Sequence, residues 1–93
     1  MYINKGINRV SNFIEAGNDY EAMMLLRDLE ANVMRYDFEI MGEGFNNFAD
    51  LYVSLKNRKK AIEMYQKAIL YFREVGNQNK VGEVSRKFEN LIL

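Results

Sequence analysis

A chain of 93 residues and 11.0 kDa has room for one hydrophobic core, so a single domain over residues 1–93 is expected. Thirteen Lys+Arg balance thirteen Asp+Glu, and a formal net charge of zero supplies no long-range field toward nucleic acid or an anionic membrane. With neither His nor Cys, the chain has no means to build a disulfide, a thiol nucleophile, a histidine base or a zinc site of the usual ligands, and neither metal nor cofactor is expected.

The first six residues, Met1 to Gly6, are interrupted by polar side chains and offer no apolar signal-peptide core. Apolar runs such as Met23 to Leu26 fall far short of the roughly 20 residues that span a bilayer. A cytoplasmic protein is the expectation, in keeping with the absence of Cys.

No Pro and only six Gly, among many Leu, Met, Glu, Lys and Ala, point to an all-α fold. In chain order, Ile7, Val10, Phe13 and Ile14 form a first apolar stripe at helical spacing. Gly17-Asn18-Asp19 interrupts it, and Ala22, Leu25, Leu26, Leu29 and Val33 form a second. A third stripe contains Phe45, Phe48, Ala49, Tyr52, Val53 and Leu55. It ends at Lys56-Asn57-Arg58, where Asn57 is placed to cap the next helix. Ala61, Met64, Tyr65, Ala68, Ile69 and Phe72 make the fourth, and Gly76 can end it in a left-handed conformation. Val81, Val84, Phe88, Leu91 and Ile92 suggest a fifth helix, a cap over about residues 78–92.

Short breaks between stripes predict antiparallel hairpins, and the two hairpins repeat. Ala22 and Ala61, Phe13 and Tyr52, Asn18 and Asn57, and Asn8 and Asn47 are each separated by 39 residues. A fixed offset linking small, aromatic and polar positions marks an internal repeat, here about 3–36 and about 42–75. Two hairpins leave apolar end faces around Tyr2, Ile3 and Ile7, which a second copy or further repeats of a larger chain would cover. Met23, Met24, Met34, Met41 and Met64 lie within or beside the stripes and read mostly as core.

The segment Phe45-Asn46-Asn47-Phe48-Ala49-Asp50-Leu51-Tyr52, with Ala61, Tyr65 and Ala68 after it, resembles the tetratricopeptide repeat. The longer spacing and the Asn-Asn pair are similar to repeats of kinesin light chains and of bacterial peptide-sensing and aspartate phosphatase regulators. That resemblance implies a short superhelix whose concave groove binds an extended peptide or a partner protein segment through first-helix asparagines. The positions it singles out are Asn46, Asn47 and Asp50, with Asn8 and Ser11 one repeat earlier, and Glu43 completes the candidate binding set. An asparagine offers an acceptor and two donors, enough to hold both the C=O and the N–H of a bound strand.

Glu39, Glu43 and Asp50 share a helical face, but a carboxylate row without a nucleophile, a metal partner or a phosphate loop does not make an enzyme. The expectation is a non-catalytic binding module, with a homo-oligomerisation module as the alternative. Arg58-Lys59-Lys60 places positive charge at a helix start, against the macrodipole.

Overall fold

The computed structural model describes residues 2–93, which form helices α1 (Tyr2–Glu15), α2 (Asp19–Asn32), α3 (Phe38–Ser54), α4 (Arg58–Glu74) and α5 (Gln78–Ile92), and a single 3-10 turn at Arg35–Asp37. No strand occurs among them. The chain is all-α, a stack of antiparallel helix hairpins: α1 pairs with α2 and α3 with α4, the hairpins meet through α1 and α3, and α5 docks on α4. The stack is a slab of 32 × 29 × 15 Å, with α1, α3 and α5 in one layer and α2 and α4 in the other.

Three of the four connections use one turn. Gly17, Lys56 and Gly76 adopt positive φ of 80°, 63° and 71°, and each is followed by an asparagine. The backbone N–H groups of Asn18, Asn57 and Asn77 reach back to the carbonyls of Phe13, Tyr52 and Phe72 at 2.8–2.9 Å, closing the preceding helix with a Schellman motif. The same residue opens the next helix: the Asn57 and Asn77 side chains accept from the Lys60 and Lys80 N–H groups at 3.2 and 3.1 Å. Asn18 holds the corresponding place without a side-chain capping bond.

The fourth connection differs. Val33 and Met34 are extended, and the 3-10 turn leads directly into α3 at Phe38, before the repeat boundary expected at about residue 42. The early start has a packing reason: Phe38 sets its ring edge-on to Tyr71 with centroids 5.1 Å apart. Arg35 in the turn donates to the Glu74 carbonyl at 3.2 Å, placing a cation at the C-terminal end of α4.

The expected stripes form the core. Val10, Ile14, Ala22, Leu29, Phe48, Ala49, Ala61, Ala68, Phe72 and Val84 are fully buried, and Met41, Phe45 and Tyr52 nearly so. Two expectations are corrected. Ile3 and Ile7 are buried, Ile7 lying against Gly44 of α3, so of the end face expected around Tyr2, Ile3 and Ile7 only Tyr2 stays exposed. Met24 and Met34 are exposed, as are Val53 and Leu55 at the end of the third stripe.

Glycine also shapes the helix crossings. A Cβ on Gly42 would stand 2.8 Å from the Phe72 ring, and one on Gly6 would overlap the Leu29 side chain, so an alanine at either place would force its neighbour across the α3–α4 or α1–α2 crossing to shift. No described helix is long and apolar enough to cross a membrane.

Candidate functional site

The polar positions of α3 divide into two sets. Glu39, Glu43, Asn46 and Asp50 recur at steps of four, three and four residues, one ridge of a helix, and this ridge faces α5. Asn77 donates to the Glu39 carboxylate at 2.7 Å, Lys80 pairs with Glu43 at 3.4 Å, and Lys87 bonds to the Asn46 side-chain oxygen at 3.2 Å and to the Asp50 carboxylate at 3.2 Å. Asp50 also accepts a 2.6 Å hydrogen bond from the Tyr65 hydroxyl of α4. The capping helix is therefore fastened to α3 by a polar seam.

Three of the six candidate residues lie in this seam. Asn46 is only 5% exposed and its oxygen is occupied by Lys87, which corrects the expectation that it lines an open groove. Glu43 and Asp50 retain partial exposure but are engaged by Lys80 and Lys87. Asn47, about 100° further around α3, leaves the seam and is exposed. Asn8 is exposed on α1 and Ser11 is half-buried. Among the described residues, no side-chain hydrogen bond occupies Asn8 or Asn47. The packing of α1 on α3 brings their two helices side by side.

The lysines of the seam escaped the sequence reading, although their signal is present. Lys80 and Lys87 are seven residues apart, as are Glu43 and Asp50, and each lysine follows its carboxylate by 37 residues. The basic cluster at the start of α4 also has an account. Arg58 donates to the Leu91 carbonyl at 2.9 Å, so its charge lies at the C-terminal end of α5, where the macrodipole favours it.

The other layer carries a groove between α2 and α4. Glu30 bridges it, accepting from Lys67 at 3.0 Å and from the Tyr71 hydroxyl at 2.7 Å, and separates two depressions of about 430 and 380 Å³. The larger is floored by Met23, Leu26, Phe45 and Met64 and rimmed by Arg27 and Lys60. The smaller holds Phe38, Leu70 and Tyr71. A third depression, of about 370 Å³, lies where α1 begins. Tyr2, Met34 and Tyr36 surround it and are 60%, 55% and 82% exposed.

Three tyrosine hydroxyls end on carboxylates: Tyr52 on Asp19 at 3.0 Å, Tyr65 on Asp50 and Tyr71 on Glu30. Burial, then the hydrogen bond to a carboxylate, push all three phenols well above their ordinary value. They are donors held in the neutral form, which ties helices together and is opposite to what a tyrosine base or nucleophile requires. No group of three or more Asp or Glu among the described residues is arranged to hold a metal ion. No protein-family model, curated protein or solved structure matches the chain.

Proposed function

We propose that this chain is a non-catalytic, tetratricopeptide-like binding module that holds an extended peptide or a partner protein segment on the face built by α1 and α3. The observation that carries the reading is the pair Asn8 and Asn47, 39 residues apart in sequence, exposed on two neighbouring helices and free of side-chain hydrogen bonds among the described residues. Two amides in repeat register offer donors and acceptors to the backbone of one strand, independent of its side chains. Ser11 adds a hydroxyl one turn after Asn8. Glu43, Asn46 and Asp50 act indirectly, by fixing α5 beside this face.

The test is selection of binders from a random peptide library displayed on phage, followed by titration of a selected peptide against the protein and against Asn8→Ala/Asn47→Ala. Loss of about 1–3 kcal/mol of binding energy for each amide is expected. Unchanged affinity in the double variant would remove the asparagine face from the reading.

A second reading is self-assembly, favoured by the exposed cluster of Tyr2, Met34 and Tyr36 around one depression. Light scattering over a wide concentration range checks it. A dimer that dissociates in Tyr36→Ser would support that interface, and a monomer throughout would sink it.

A further inference from the structure

The groove between α2 and α4 lies on the layer opposite the asparagine face and has a chemistry of its own. Its larger depression is floored by the half-buried Met23, with the buried Leu26, Phe45 and Met64 beneath it, and the flexible methionines can adapt to an apolar anchor. Its rim is unbalanced in charge. Arg27, Lys60 and Lys67 line it with one carboxylate, Glu30, whose two oxygens are already taken by Lys67 and Tyr71. Lys60 has only a 3.8 Å approach to Glu63 within its own helix, and Arg27 has no ion-pair partner among the described residues. Two cations with little compensation thus flank an apolar depression in a protein of zero net charge.

We propose that this groove docks an acidic amphipathic helix of a partner protein, one apolar side chain entering the depression between Met23 and Met64 and its flanking carboxylates meeting Arg27 and Lys60. The charge complementarity selects the occupant. A basic or neutral helix would bury the same apolar area but would leave both cations opposed or unpaired. The surface is a second one, independent of the Asn8 and Asn47 face, so a single module can hold two segments at once.

The experiment uses two fluorescein-labelled helical peptides, one with leucine on one face and glutamate at the flanking positions, the other with lysine in place of each glutamate. Anisotropy titrations are run against the protein, Arg27→Glu/Lys60→Glu and Asn8→Ala/Asn47→Ala, with circular dichroism confirming that each variant is folded. The glutamate peptide is expected to bind the unaltered protein and the asparagine variant equally. Its affinity should fall at least about tenfold in the charge-reversed variant, which should in turn gain the lysine peptide. Four results would each overturn the proposal: no binding of the glutamate peptide, equal binding of both peptides, a loss confined to the asparagine variant, or self-association of the protein that disappears in Arg27→Glu/Lys60→Glu. The last would make a second copy of this chain the occupant.

Discussion

Tyr65 and Lys87 converge on one carboxylate: Asp50 of α3 accepts from the Tyr65 hydroxyl at 2.6 Å and from the Lys87 ammonium at 3.2 Å, so a single side chain joins α3, α4 and α5. The short phenol bond is charge-assisted and partly shielded, while the lysine pair is half exposed and contributes less. Asp50→Ala is expected to lower stability by about 1.5–3 kcal/mol, measured by urea unfolding. Tyr65→Phe should remove much of the same energy, so the double variant should cost less than the sum of the two. Strict additivity would mean the hydrogen bond carries no net energy.

Gly42 and Gly82 are both helical, and they should respond oppositely to alanine. At Gly42 the added methyl meets the Phe72 ring at 2.8 Å, and relieving that contact costs about 1–3 kcal/mol, more than the helix propensity gained. At Gly82 nothing lies within 4 Å, so Gly82→Ala should stabilise by about 0.5–1 kcal/mol. Thermal unfolding of the two variants should move Tm in opposite directions. Movement in the same direction would contradict the packing of the Phe72 ring against Gly42.

Lys56 adopts the turn conformation that glycine supplies at positions 17 and 76. A left-handed φ costs a non-glycine residue about 1–2 kcal/mol, partly offset because glycine loses more chain entropy on folding. Lys56→Gly should therefore raise stability by about 0.5–1 kcal/mol. Gly76→Ala should lower it by about 1 kcal/mol, and chemical denaturation distinguishes the two signs.

The three carboxylate-bound phenols predict alkaline sensitivity. Tyr52, Tyr65 and Tyr71 have folded pKa values raised above the ordinary phenol value of about 10. Below pH 10 both folded and unfolded chains hold these protons and the full stabilisation is present. Above it the unfolded chain releases them first, so stability falls as pH rises toward the folded values. Denaturant midpoints measured from pH 8 to 11 should decline above 10, and less steeply in Tyr71→Phe. A flat profile would mean that the phenols ionise freely in the folded state.

Much of the fold is legible in the sequence because its signals are local. The stripe Ala61, Met64, Tyr65, Ala68, Ile69 and Phe72 is a helical period that needs no partner to be seen, and all six residues are buried. The turns at Asn57 and Gly76 are likewise fixed by a cap and a left-handed residue within a few positions. The candidate site was legible only in part. Asn8 and Asn47 sit exposed in repeat register, whereas Asn46 lies against Lys87, 41 residues away.

The helices, their caps and the faces they bury can therefore be read along the chain, since these depend on residues within one or two turns of each other. Which polar residues remain free follows only from the packing, because it depends on where α5 crosses α3 and which side chains Lys80 and Lys87 reach. The packing also decides the meaning of Gly6 and Gly42. In the sequence they are helix weakeners, and only the Leu29 and Phe72 side chains packed over them show that the missing Cβ leaves those neighbours their place.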